Sequence, residues 1–128
     1  GLAAAEAALQ WTVDYTRERE AFGQKVFDFQ NTQFKLADIK TECLVARAFI
    51  EKCIALENEK KLSQDMGAAA KLYCSELQGR AVDECLQLHG GYGFMSEYPI
   101  TKLYADSRVN RIYGGSSEIM RLIVARSL

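Results

Sequence analysis

A chain of 128 residues builds one domain, because single cores divide only beyond roughly 250 residues. Hydrophobic residues make up 48% and charged residues 26%, and 16 Lys+Arg against 17 Asp+Glu leave a net charge of -1. That balance argues against a nucleic-acid or anionic-membrane module, which needs a basic excess, and no apolar run approaches the ~20 residues of a membrane span.

From Gly1 to about Glu18 the chain is rich in Ala, Leu and Glu, and Leu2, Ala5, Leu9 and Val13 recur at spacings of three and four. This is an amphipathic helix. From about Phe22 to Asn31 the pattern breaks into a loop. A long helix follows from about Thr32 to Lys60, with one apolar stripe through Leu36, Ile39, Cys43, Ala46, Ile50 and Cys53. Phe34, Ala37, Leu44 and Ala48 form a second stripe, which predicts more than one packing neighbour. Ser63 suits the N-cap of the next helix, whose inner face carries Ala70, Cys74, Leu77, Ala81, Cys85 and Leu88. Gly90-Gly91 ends it. Pro99 opens a short helix to about Arg108, Gly114-Gly115 interrupts the chain, and Ser116 and Ser117 can cap a final helix through Leu128. The expected architecture is all-α: an up-and-down four-helix bundle with an additional short helix. The first residues lack a signal-peptide layout, and a start inside a helical pattern reads as a helical piece of something larger.

Cys43, Cys53, Cys74 and Cys85 lie far apart, without a C-x-x-C pair and with one histidine in the whole chain. They read as small buried thiols in a reducing compartment, with no metal site. Three segments exceed what a bundle needs. Arg19-Glu20-Ala21-Phe22-Gly23, with Gln30 beyond it, is either a helix end with a core aromatic and a turn, or a guanidinium fork offered to a phosphate. Leu86-Gln87-Leu88-His89-Gly90-Gly91-Tyr92-Gly93-Phe94 is either a helix stop with a structural histidine or a strip of backbone open to close approach. It is no dinucleotide fingerprint, since it follows a helix and lacks the required glycine order. Arg111-Ile112-Tyr113-Gly114-Gly115-Ser116-Ser117-Glu118-Ile119 is either a capped turn or a helix N-terminus suited to an anion or electron-rich ligand edge.

In this order, R-x-x-F-G, Q-L-H-G-G-x-G, Y-P-I and I-Y-G-G-S-S-E-I, the segments resemble the acyl-CoA dehydrogenase family over essentially the whole chain. The resemblance is to its C-terminal helical domain, which in the family follows an N-terminal helical and a middle β-domain, neither present in residues 1–128. It implies FAD-dependent α,β-dehydrogenation of an acyl-CoA thioester, with a glutamate as base, flavin as hydride acceptor and an electron-transfer flavoprotein as the next acceptor. By motif match, Arg19, Phe22 and Gln30 would meet the FAD pyrophosphate and adenine region. Gln87, Leu88, His89, Gly90 and Gly91 would meet the FAD of a neighbouring subunit in a homodimer or homotetramer. Gly115, Ser116, Ser117 and Glu118 would meet FAD at the final helix. Many members carry the catalytic glutamate at the position of Gly114; glycine there resembles the long-chain and isovaleryl types. Their base would fall about two turns before Gly1, so residues 1–128 hold no catalytic residue and are expected to be inactive alone. Glu6 is misplaced for that role. Ala105 departs from an arginine common at its position, which leaves only Asp106 and Arg108 to pair locally. The resemblance fits bacterial cytoplasm or mitochondrial matrix. The alternatives are a non-catalytic helical assembly module and an acyl-CoA oxidase, which shares the bundle but uses oxygen.

Overall fold

The computed structural model describes all 128 residues: α1 (Leu2–Glu18), α2 (Gln30–Asn58), α3 (Gln64–His89), α4 (Pro99–Ser107) and α5 (Ser117–Ala125). It is an all-α domain. Its one sheet is a hairpin of two-residue strands, β1 (Glu20–Ala21) antiparallel to β2 (Gln24–Lys25), with Glu20 opposite Lys25. The expected loop at 22–31 is therefore replaced by a hairpin, a 3-10 turn over Val26–Asp28, and an earlier start of α2. Phe22 and Gly23 form the hairpin tip with φ of 53° and 82°. Two left-handed central residues match the right-handed twist of the strands, and the turn normally announces itself as Asn-Gly rather than Phe-Gly.

Helix α3 is central and packs against α1, α2, α4 and α5. Leu77, Ala81, Val82 and Cys85 on α3 meet Ala5, Ala8 and Leu9 of α1, Leu36, Ile39 and Cys43 of α2, and Ile100 of α4 in one apolar cluster. Full burial of Leu77 alone contributes about 1.5–3 kcal/mol. Alanines and cysteines at these contacts let the helix axes come close. The α1 stripe differs from its expected course. Val13 is half-buried, whereas Thr12 and Thr16 are fully buried, each hydroxyl donating to the carbonyl four residues earlier, Ala8 and Thr12, at 2.7 Å. That back-bonding satisfies a polar group inside a helix face that composition alone marks as outward.

On α2 the stripe through Leu36, Ile39, Cys43, Ala46 and Cys53 is buried as expected. The second stripe, Phe34, Ala37, Leu44 and Ala48, is exposed, and α2 meets its two helical neighbours, α1 and α3, through the buried stripe. All four cysteines are free and buried. Burial pushes the Cys85 thiol up to about 11. Ion pairs tie the outer faces together: Glu6 to Arg47 joins α1 to α2, while Lys35–Glu84 and Glu42–Arg80 join α2 to α3. Glu6 thus has a structural partner. Of the pair left by Ala105, Asp106 meets Lys102 at 3.8 Å, one turn back.

The helix ends follow the breakers. Gly90 is the C-cap of α3 at φ 59°, Pro99 opens α4, and Ser116 caps α5 by accepting from the Ile119 N–H at 3.4 Å. Ser63 sits at the N-cap of α3 without a side-chain cap bond, and α5 stops at Ala125 rather than Leu128. No helix is long and apolar enough to cross a membrane.

Candidate functional site

The end of α1, the hairpin and the end of α3 converge on a cavity of about 550 Å³. Arg19, Gln87, Leu88, His89, Gly90 and Gly91 line it, and Tyr15 and Tyr92 join them. Six residues singled out by motif thus meet at one place. The Arg19 guanidinium lies over the Tyr92 ring at 5.1 Å, and no carboxylate within ion-pair distance neutralises it. A planar cation parked on an aromatic face and left unpaired suits a phosphate.

His89 is buried, and its Nδ1 lies 2.8 Å from the Cys85 carbonyl. A carbonyl only accepts, so Nδ1 carries the proton. Its ring stacks on Tyr15 at 4.3 Å and 19°, and the Tyr15 hydroxyl donates to the His89 carbonyl at 3.1 Å. Burial pushes the imidazole below its ordinary value of 6.5, with the Cys85 carbonyl opposing weakly. The side chain is a satisfied structural histidine, and the backbone after it is the open part. A histidine whose folded pKa is depressed makes the unfolded chain bind more protons as pH falls, so it lowers stability below about 6.5. We expect the melting temperature to fall between about pH 7 and pH 5, and the fall to be smaller in His89→Gln; equal falls would discount His89.

The glycines of this turn have different reasons. Gly90 needs its positive φ, and at Gly93 a Cβ would stand 2.6 Å from the Leu86 carbonyl oxygen. At Gly91 a Cβ would meet nothing within 4 Å. Phe22 and Gln30 do not line the cavity. Phe22, at the hairpin tip, is 98% exposed and touches Phe29 edge-on at 6.4 Å, so it is no core aromatic either. Gln30 is the exposed first residue of α2.

Gly115, Ser116, Ser117 and Glu118 form a separate patch near the opposite end of α3. Gly114 and Gly115 have φ of 64° and 98°. Ser117 is 2% exposed, and its hydroxyl has no hydrogen-bond partner. The Glu118 carboxyl is held below its usual range by its own backbone N–H, then by the Ser116 hydroxyl and the Arg121 and Arg111 charges. Lys71 of α3 donates to the Gly115 carbonyl at 2.5 Å. Gly1, Lys71, Cys74, Ser75, Asn110, Tyr113 and Gly114 line a second cavity of about 300 Å³. Lys71 and His89 lie 18 residues apart on α3, which separates the two patches by roughly 27 Å at 1.5 Å per residue. Sequence reading missed Tyr15 and Lys71, since an aromatic or lysine on a helix face has no motif of its own, and it left Tyr92 as the variable position of a glycine motif.

The family model described as acyl-CoA dehydrogenase, C-terminal domain, matches residues 1–128. The chain is 45% identical over 127 residues to the mitochondrial long-chain specific acyl-CoA dehydrogenase of Mus musculus, covering 99% of this chain and 30% of that protein. It is 33% identical over 124 residues to a caffeyl-CoA reductase-Etf complex subunit of Acetobacterium woodii, covering 97% of this chain and 33% of that protein. The crystal structure of an acyl-CoA dehydrogenase from Geobacillus kaustophilus superposes with a TM-score of 0.96 at 39% identity, over 98% of this chain and 33% of that one. The chain thus spans about a third of the length of the relatives it matches.

Proposed function

Because this chain belongs to the acyl-CoA dehydrogenase family, as its C-terminal domain, we propose that it holds FAD in an enzyme that dehydrogenates acyl-CoA thioesters at the α,β bond. What carries the reading is the cavity on Arg19 and Gln87–Gly91, in a chain that matches the family model from end to end. The residues fit the cofactor. An unpaired guanidinium suits the pyrophosphate, Gly91 leaves open space beside the backbone, and the orphan Ser117 hydroxyl at the positive end of α5 suits an electron-rich ring edge. When bound, the flavin supplies hydride acceptance. This chain's residues bind and orient; Gly114 has no side chain to take a proton, so the base comes from elsewhere in the protein.

Two patches roughly 27 Å apart on one helix fit contacts to two different cofactor molecules in an assembly of copies. The exposed second stripe of α2, Phe34 and Leu44 included, supports such an assembly. We expect a dimer or tetramer by sedimentation at about ten micromolar, where even a weak interface registers; a strict monomer would count against it. The Etf complex named for the Acetobacterium woodii relative supports an electron-transfer flavoprotein as acceptor. Four free buried thiols and the mitochondrial relative support a reducing compartment. Residues 1–128 alone are expected to bind FAD weakly and to be inactive.

The test is FAD titration of a full-length protein carrying this chain. Arg19→Leu should weaken binding about tenfold to a hundredfold, the scale of one charge-assisted contact. Unchanged affinity would remove Arg19 from the site and favour a non-catalytic assembly module. Rapid turnover with oxygen as acceptor would favour the oxidase reading.

A further inference from the structure

We propose that Lys71 is a positioning residue for FAD: by holding the Gly115 carbonyl it turns the next amide, Ser116 N–H, toward the ligand side of the turn. The inference rests on reading residues 115–118 as a flavin-contacting segment.

All peptide bonds are trans. In a trans peptide the C=O and the N–H of the same unit point in opposite directions. Lys71 fixes one end of the 115–116 peptide at 2.5 Å, so the other end points away from α3, and the Ser116 N–H finds no acceptor within the chain. Position 115 also demands glycine. Its φ is 98°, and a Cβ there would meet Met120 Cε at 2.5 Å. The carbonyl end of the peptide is therefore held by Lys71, while the amide beside it stays free and the neighbouring Ser117 hydroxyl is buried without a partner. Two unpartnered polar groups at one turn are what a ligand edge would satisfy.

Charge separates this role from mere clamping. Lys71 is half-buried, forms no ion pair, and stands beside the positive end of α5. A cation at a helix N-terminus is unfavourable in the free chain. An electron-rich ligand edge at the turn offsets both charges, so the arrangement favours the bound state over the free one.

The experiment uses the full-length protein in apo and FAD-loaded forms. Lys71→Met should weaken FAD binding about tenfold and shrink the gap between apo and holo melting temperatures, with the apo value close to wild type. Lys71→Arg, which keeps the donor, should recover most of the affinity. If Lys71→Met does not fold, Lys71→Leu, which also lacks a donor, carries the same expectation. Equal loss of apo and holo stability with unchanged FAD affinity would reduce Lys71 to a structural clamp and overturn the proposal. Ser117→Ala separates the two levels. If it weakens FAD binding and Lys71→Met does not, the positioning role fails; if neither variant weakens it, the flavin-contact reading of 115–118 fails as well.

Discussion

Replacing the glutamate expected about two helical turns before Gly1 by glutamine should lower turnover of the full-length enzyme by about 10²–10⁴-fold, with FAD still bound. The change removes a negative charge and a proton acceptor while keeping shape, so binding and folding should be spared. The geometry of this chain supports the placement from two sides. Gly114, at the alternative position for a base, offers backbone only. Gly1 and Gly114 line the same cavity, so the start of α1 and the turn before α5 open onto one space. Glutamate at Gly114 in the inactivated enzyme should then restore part of the rate. Its φ of 64° makes any side chain there strained, and the rescue should be partial for that reason. Steady-state kinetics with saturating acyl-CoA reads both outcomes. Turnover near wild type in the glutamine variant would show that the base lies elsewhere.

The helices were legible because local rules and tertiary packing agree in them. Leu36, Ile39 and Cys43 fall on one face of α2 by spacing, and that face is buried. Pro99 and Gly90 start and stop helices where their backbone requirements allow. Legibility failed where a residue's polarity misstates its place, or where its role depends on a partner distant in sequence. Thr12 and Thr16 read as polar, yet lie inside because each hydroxyl bonds its own helix. Phe22 reads as apolar, yet projects from a hairpin tip whose left-handed backbone aims it outward. The motif residues Arg19 and Gln87–Gly91, 68 positions apart at their nearest, meet because the C-terminal ends of α1 and α3 lie together, an adjacency that spacing does not encode. Resemblance to a family marked both segments as cofactor-facing, but assigned them separately, and only the fold brings them into one cavity. It also grouped Phe22 and Gln30 with Arg19, and within this chain they stand apart from the cavity.

Two single-methyl substitutions, two residues apart, should lose cofactor for different reasons. Gly91→Ala adds a Cβ that meets nothing within 4 Å, at a position lining the Arg19 cavity and without a left-handed φ. Stability should stay within about 0.5 kcal/mol of wild type. The methyl occupies the space a cofactor backbone needs, so FAD affinity should fall about tenfold or more, the scale of a lost close contact. Gly93→Ala places its Cβ 2.6 Å from the Leu86 carbonyl oxygen, 3.1 Å from Leu86 Cγ and 3.2 Å from His89 Cβ. The nearest of these is backbone, so relief requires the end of α3 to shift. Destabilisation of about 1–3 kcal/mol follows, as for overpacking elsewhere. Because His89 carries the turn through its stack on Tyr15, the shift should also loosen the cavity, and FAD affinity should fall as a consequence of lost structure. Denaturant melts of the apo protein separate the cases: Gly91→Ala keeps its midpoint and loses cofactor, whereas Gly93→Ala loses both. A Gly91→Ala protein that binds FAD as wild type does would show that the open backbone at the end of α3 faces no ligand. The cavity there would then be a surface depression between a hairpin and two helix ends.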